Sequence, residues 1–528
     1  MQHPALAALF ILANVAYQGV HSLEMQRVVL QINTTSPVAR ISENFICATL
    51  DWWPPEKCDY GYCSWGRASL LNLDLWNPRL VNAVKGLSPL LLRLGGSLQD
   101  QIIYEVGVRP GPCLPLQKQP SAMFGFTGGC LNMSRWTELN SFFEKTGALV
   151  AFGLNALYGR TKFGDNGFKG SWESSNARDL MKFSLDHGFP IVAWELGNEL
   201  SGSGVGTSIS AKQYAADIKE LRSVVDQVYA RSTIKPQVVA PDGFWDYGWF
   251  HDFLQSTGPN VVNACSHHIY NLGPGVDTHL IEKIVSPSYL SQEAGTFEGV
   301  EKLMKAYGTE AWVGEAGGAY NSGHHNVTDR YVFSFWYLDE LGMSAYYNTA
   351  VYCRQSLIGG NYGLVDRTSY DLNPDYFSAL LWKKLMGRNV FSATAENTPY
   401  LRTYAHCLKS NQGGLAVLII NLSNSTQYSV DLSLTHSEKD CSCNKPRTKK
   451  LAGAGVNAER MEYHLTAPNG DLQSPVMLLN GKPLVAGADG SIPELTPVTR
   501  TSSSPVLVDP YSIVFAVIPE AGVQSCTQ

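Results

Sequence analysis

The feature that most restricts the fold of this chain is a rhythm. Between residues 45 and 387, eight short apolar runs alternate with longer amphipathic stretches of helical period. The runs cover 45–50, 90–94, 149–153, 191–195, 237–240, 264–268, 311–314 and 345–351. Strand-then-helix repetition builds parallel sheets, because parallel neighbours need a long crossover and a helix supplies it. Eight repeats close a ring, so the expected class is α/β, a (β/α)8 TIM barrel over 43–387 with enlarged loops. One loop, between Cys113 and Leu131, is rich in Pro, Gly and Gln and is expected to lie over the active face. After 387 the runs become short and alternating, at 400–406, 414–421, 427–434, 462–465, 476–479 and 512–518, with Asn, Ser and Gly between them. That pattern predicts an appended β-sandwich over 388–528. Residues 25–32 alternate in the same way, so the segment 23–42 is expected to join the sandwich.

The N-terminus reads as a secretory signal over 1–22: an apolar stretch at 5–16, then Val20-His21-Ser22 with cleavage near Ser22, although no Lys or Arg precedes the stretch. N-x-S/T sequons begin at Asn33, Asn132, Asn326, Asn421 and Asn424, in keeping with export to the cell wall or vacuole. Among 11 cysteines, Cys58/Cys63 and Cys113/Cys130 each close a loop and are the first pairs expected to form disulfides. No Cys/His spacing reads as a zinc site, and no cofactor is called for. No later run of 18 apolar residues exists, so no membrane span is expected; peripheral membrane association stays open. The formal net charge of −6 opposes nucleic-acid binding. The basic stretch holding Lys445, Arg447, Lys449 and Lys450 reads as a solvated loop.

Two carboxylates stand out. Glu199, in Trp194-Glu195-Leu196-Gly197-Asn198-Glu199, follows the fourth predicted strand, and Glu315, in Ala311-Trp312-Val313-Gly314-Glu315, follows the seventh. Barrels present their catalytic groups at the C-terminal ends of strands, so both face one cleft. A pair of carboxyl groups across a shared cleft is the minimum for breaking a glycosidic bond: one protonates the leaving oxygen and the other attacks or activates water. Asn198 beside Glu199 could reach a sugar 2-hydroxyl, which favours Glu199 as the acid and Glu315 as the nucleophile. Glu195 lies earlier in its strand and is expected to pair inside the barrel, with Arg93 as a candidate for a structural ion pair. Asp51, Ser97, His267 and His268 also lie at predicted strand ends. The run Gly359-Gly360-Asn361-Tyr362-Gly363 lacks the Lys of a phosphate loop; its backbone N–H groups and the Tyr362 hydroxyl could receive a substrate carboxylate.

The segments Phe45-Ile46-Cys47-Ala48-Thr49-Leu50-Asp51-Trp52-Trp53, Arg93-Leu94-Gly95-Gly96-Ser97 and Gly153-Leu154-Asn155-Ala156-Leu157, with the two glutamate motifs, resemble the plant heparanase-like proteins and β-glucuronidases of glycoside hydrolase family 79. The resemblance implies a retaining hydrolase acting on glucuronic-acid-containing glycans or small-molecule glucuronides. It implies Glu199 as proton donor and Glu315 as nucleophile, with Asp51, Ser97, His267, Tyr320, Asn321, Ser322, Gly360, Asn361 and Tyr362 around the sugar. The animal heparanases of the family carry a long excised segment after strand two and a basic residue beyond the strand-six histidines. Here a short 111–132 loop and Gly273-Pro274 stand in those places. Unsulfated glucuronides are therefore expected rather than heparan sulfate, and no cleavage into two chains. A barrel glycosidase of pentosides, or a glycan-binding barrel without turnover, are the alternatives.

Overall fold

The computed structural model describes residues 24–108, 112–164, 167–410, 412–436, 447–450 and 459–527. Residues 1–22, the expected signal, together with Lys445 and two of the cysteines, Cys441 and Cys443, lie outside the described residues.

Eight parallel strands close into a barrel, each hydrogen-bonded to the next and the last to the first. They are β1 (Ile46–Leu50), β2 (Leu91–Leu94), β3 (Leu149–Leu154), β4 (Ile191–Leu196), β5 (Gln237–Phe244), β6 (Ala264–Ile269), β7 (Glu310–Ala316) and β8 (Thr349–Arg354). Helices such as Pro78–Gly86, Met133–Thr146 and Ala211–Val228 cross between them, started by the side chains of Asn77, Asn132 and Ser210. Most strand boundaries shift from the sequence reading by one or two residues, and two strands shift further. β8 starts at Thr349, because Ala345 and Tyr346 end the helix Phe333–Tyr346. That helix is buried on nearly every side, so it shows no polar face to mark its period. β5 runs on to Phe244, past Pro241, where a proline argues against a continuing strand.

The strands alternate. Outward residues such as Ile46, Leu92, Val150 and Phe152 pack under the helices, while Cys47, Leu91, Ala151, Ala193, Val239 and Ala264 fill the interior. Along each inward row the chemistry changes toward the C-terminal end: Leu91 gives way to Arg93, Ala193 to Glu195, and Ala264 to Ser266 and His268. An apolar floor thus carries a polar mouth. Cys47 and Cys353, register partners on β1 and β8, form a disulfide across that seam. The pairs Cys58–Cys63 and Cys113–Cys130 form as expected, and Cys407–Cys526 joins them.

Three small two-stranded sheets lie in the barrel's loops, and the other strands form the sheets of the second unit. Its first strand, Met386–Ala395, follows the helix Pro374–Leu385 directly, so the changeover falls before 388. Glu24–Asn33 pairs parallel with Thr426–His436 and antiparallel with Met386–Ala395. Strands Leu415–Asn421 and Ser512–Ile518 are buried on both faces. Leu415, Val417, Ile419, Val514 and Ala516 enter the sandwich core with Leu30, Val430 and Val506, while Leu418, Ile420, Phe515 and Val517 join the core shared with the barrel. The short strands Val498–Thr501 and Val506–Val508 were not anticipated.

Candidate active site

The polar mouth opens into a cleft of about 350 Å³ lined in part by Asp51, Ser97, Glu199, Glu315, Tyr320, Asn321, Ser322 and Tyr362. One carboxylate oxygen of Glu199, one of Glu315 and a ring nitrogen of His268 all lie within 4.8 Å of one another. Both glutamates are largely buried, at 7% and 6% exposure.

Their backbones are held firmly. Glu199 has φ 55° and Asp242 φ 56°, left-handed conformations costly for residues with a Cβ. The two are tied by Glu199 N–H donating to Asp242 C=O at 2.8 Å, and Val205 N–H caps the Glu199 carbonyl at 2.9 Å. The glycine in Trp312-Val313-Gly314-Glu315 has a steric reason. A Cβ on Gly314 would fall 1.9 Å from Asp242 Oδ1 and 2.2 Å from Ser266 Oγ, so the space belongs to the site.

Arg93, fully buried, organises the acids. Its Nε reaches Glu195 Oε2 at 3.1 Å, its Nη1 reaches Glu315 Oε2 at 2.7 Å, and its Nη2 donates to Asn198 Oδ1 at 2.8 Å and to Asp242 Oδ2. Glu195 therefore pairs inside the barrel, as its position in the strand implied. Tyr270 donates its hydroxyl to the other oxygen of Glu315, Oε1, at 2.5 Å. On the opposite side His268 Nδ1 meets Glu199 Oε1 at 2.9 Å, and Nε2 sits 3.2 Å from Asp242 Oδ1, an ion-pair contact rather than an aligned hydrogen bond.

Five carboxyl groups (Asp51, Glu195, Glu199, Asp242, Glu315) thus share two cationic side chains, and the excess must be met by protons. Burial and then the Asp242 charge push Glu195 up to about 8, despite Arg93. Burial and then the Glu315 charge push Asp51 up to about 7, against hydrogen bonds from Gln355 and the Trp52 N–H. Burial raises Glu199 as well, opposed by its hydrogen bond with His268 and helped by Glu315. Burial alone would favour neutral His268, but the Asp242 and Glu315 charges and the contacts with Asp242 and Glu199 reverse it and raise the imidazole to about 10. Asp242 goes the other way: burial is outweighed by Arg93 and His268, which hold it below the ordinary range. Glu199, His268 and Glu315 are spaced closely enough to hold a cation. An imidazolium has no free lone pair, however, so the set is better suited to moving protons than to binding metal.

Some expectations fail for clear reasons. His267 does not reach the cleft: it shares outward parity with Cys265 and Ile269 and packs against Trp245 and Phe297. Its neighbour His268 takes the inward position, and the apolar character of Cys265 and Ile269 was the available signal. Gly360 and Asn361 support Tyr362 instead of lining the cleft. A Cβ on Gly360, at φ 67°, would fall 2.6 Å from the Tyr362 ring, and the Asn361 N–H is already donated to Ser322 C=O at 2.8 Å. The Asn361 N–H is therefore not free for a substrate carboxylate. Ser322 in turn bonds Asp59 and accepts from Trp65 Nε1 at 2.9 Å. Asn198 stands behind Glu199, its amide oriented by Arg93. Asn421 cannot carry a glycan in the folded chain, since it is fully buried and its Nδ2 donates to the carbonyls of Thr426, Val508 and Asp509. The other four sequon asparagines are exposed.

The sequence reading did not identify Trp53, Lys57, Phe124, Phe244, Tyr270 or Gln355, all of which line the cleft. Among the described residues that line the cleft, Lys57 is the only Lys or Arg; it pairs with Asp59 at 2.8 Å and lies 4.4 Å over the Trp53 ring. Phe124 comes from the loop closed by Cys113–Cys130 and stacks edge-on against Trp53.

The profile of the glycosyl hydrolase family 79 N-terminal domain matches residues 27–342. Heparanase-like protein 3 of Arabidopsis thaliana is 48% identical over 93% of this chain and 92% of its own length. Baicalin-beta-D-glucuronidase of Scutellaria baicalensis is 39% identical over 92% of this chain and 91% of its own. A solved structure, the thermostable GH51 alpha-L-arabinofuranosidase from Thermotoga petrophila, superposes with a TM-score of 0.64 at 16% identity, over 93% of this chain and 100% of that one. That likeness speaks for the barrel architecture and not for the sugar.

Proposed function

The chain belongs to glycosyl hydrolase family 79, and from that premise we propose that it is a retaining β-glucuronidase, with Glu199 as proton donor and Glu315 as nucleophile. The observation that carries this reading is the closeness of the two carboxylates, within 4.8 Å at their nearest oxygens. Retaining sites hold their carboxyl groups about 5–5.5 Å apart, and inverting sites leave about 6.5–9.5 Å for a water.

In the first step Glu199, its carboxyl raised by burial, gives its proton to the glycosidic oxygen as Glu315 attacks the anomeric carbon. The aglycone leaves, and a glycosyl ester forms on Glu315. Glu199, now a carboxylate beside the imidazolium of His268, takes a proton from water. That water displaces Glu315, which Arg93 and Tyr270 receive as an anion. Two inversions leave the anomeric configuration unchanged. Lys57 and the Tyr362 hydroxyl are the donors we assign to the glucuronate carboxylate.

The cleft lining sets one cation against Asp51, Asp59, Glu199 and Glu315, which favours unsulfated glucuronides over sulfated chains. Passage through the secretory pathway, with glycans at Asn33, Asn132, Asn326 and Asn424, is proposed on the N-terminal sequence and the exposure of those four side chains. Among the described residues, no helix is long and apolar enough to cross a membrane.

The test is hydrolysis of matched aryl glucuronides and aryl pentosides by the parent, Glu199→Gln and Glu315→Gln, with the anomer of the first product read by NMR. Release of β-glucuronate by the parent and its loss in both variants are expected. Pentose release would favour the pentosidase reading, and unchanged turnover in both variants would end the enzymatic assignment.

A further inference from the structure

A second cavity, of about 400 Å³, lies at the other end of the barrel. Its walls are the entry to β1 (Phe45, Ile46), Pro89 ahead of β2, and the joint where the helix Pro374–Leu385 becomes the strand Met386–Ala395. The catalytic carboxylates stand at the C-terminal strand ends, so this cavity shares no residue with the cleft.

Its charge is unusual for an acidic chain. Arg40, Lys383, Arg388 and Lys409 line it against a single acid, Glu43. Lys383 is only 8% exposed, and among the described residues its ammonium has one hydrogen bond, to the Pro89 carbonyl at 2.5 Å. An ammonium has three donors, so two remain. Arg388 uses Nε on the Ile41 carbonyl and one Nη on Glu43 at 3.5 Å, leaving the other Nη free. The side chains of Arg40 and Lys409 make no hydrogen bond within the described residues. Trp382, 1% exposed and part of the same wall, keeps its indole N–H without a partner. Buried donors are ordinarily satisfied. Here two buried donors, on Lys383 and Trp382, line one space together with the exposed Arg40, Arg388 and Lys409, and Glu43 is its single acid.

We propose that this cavity binds an oxyanion, a phosphate, sulfate or sugar carboxylate, held by Lys383, Arg388 and Lys409 with the Trp382 N–H. Mutual repulsion supports the reading: burial and then the Lys409 charge bring Lys383 down to about 8, a strain that a bound anion would relieve. The Cys407–Cys526 disulfide, within the sandwich, forms part of the wall on that side.

The experiment titrates the whole chain calorimetrically with inorganic phosphate, inorganic sulfate and free glucuronate, while aryl-glucuronide hydrolysis is followed separately. One equivalent of at least one anion is expected to bind without inhibiting hydrolysis, roughly tenfold more weakly in Arg388→Ala/Lys409→Ala. Both substitutions are at exposed positions, so the variant folds and its hydrolysis stays at the parent level. Above about pH 8 binding should draw a proton from the buffer as Lys383 is recharged. Phosphate or sulfate binding identifies a phosphoryl or sulfuryl ligand, and glucuronate binding an acidic sugar. No binding of any of the three at millimolar concentration, or equal binding by the double variant, overturns the proposal. Glucuronate binding that competes with hydrolysis and survives in the double variant belongs to the cleft and counts against it too.

Discussion

Replacing Tyr270 with Phe removes one oxygen and leaves the ring in place, so it isolates a single contact: the 2.5 Å hydrogen bond to Glu315 Oε1. A hydrogen bond to a charged group contributes about 1.5–3 kcal/mol. The acceptor here is 6% exposed and little screened, which puts the effect within that range. At about 1.4 kcal/mol per decade, the affected step slows by roughly 10- to 150-fold. The two steps feel the loss differently. Attack by Glu315 consumes negative charge on the carboxylate, whereas departure of Glu315 from the glycosyl ester restores it, so the hydroxyl favours departure. Tyr270→Phe should therefore slow deglycosylation, accumulate the intermediate, and lower kcat and KM together. Stopped-flow assays with two aryl glucuronides of different phenol acidity would show a burst of phenol followed by the same slow kcat for both. A kcat within twofold of the parent, or a loss confined to kcat/KM with no burst, would refute the placement of Tyr270 on the nucleophile.

Three other outcomes follow from the same geometry. Glu199→Gln should cost roughly 100- to 10,000-fold on glucuronides of weakly acidic alcohols and far less in the bond-breaking step for acidic phenols; equal losses across a leaving-group series would contradict its role as acid. Glu195 and Asp51 have folded values raised to about 8 and 7, against 4.5 for Glu and 3.8 for Asp, so the folded chain holds protons that the unfolded chain has already lost. Their stabilisation is complete below pH 4 and is lost as pH rises toward 8. Tm should accordingly fall between about pH 5 and pH 8, and less steeply in Glu195→Gln; a Tm that rises over that interval would contradict the protonated network. His268→Gln should abolish most turnover and flatten the pH–rate profile, while His267→Gln should lower Tm with kcat nearly retained; the reverse ranking would mean the parity assignment is wrong.

Much of this arrangement could be read from residue order, and the exceptions share a cause. The strand rhythm located the barrel because each strand is apolar on both faces and flanked by turn residues. Glu199 and Glu315 could be placed because a strand end is where a sequence stops alternating. Residue order put both His267 and His268 at the strand end and only the family resemblance chose His267; the inward one is His268, a single step of parity away, as the apolar Cys265 and Ile269 on the outward face indicate. Asp242 was hidden by Pro241, which normally closes a strand but here does not. Tyr270, Lys57 and Phe124 come from loops that converge only in three dimensions, and no local pattern distinguishes them from solvated or core residues. Asn421 shows the opposite failure: a sequon is three letters, and burial is a property of the whole fold.

The bond between Cys47 and Cys353 gives the barrel a property that its contacts alone would not. These cysteines lie 306 positions apart, one in the first staves of the barrel and one in the last. A protease that severs any loop between them therefore does not release a fragment, because both pieces remain on one covalent circle. A nicked molecule should migrate as a single species until a reductant is added, and it can keep its cleft assembled. In a compartment rich in proteases, such an enzyme tolerates a broken backbone in its loops as long as this one bond stays oxidised.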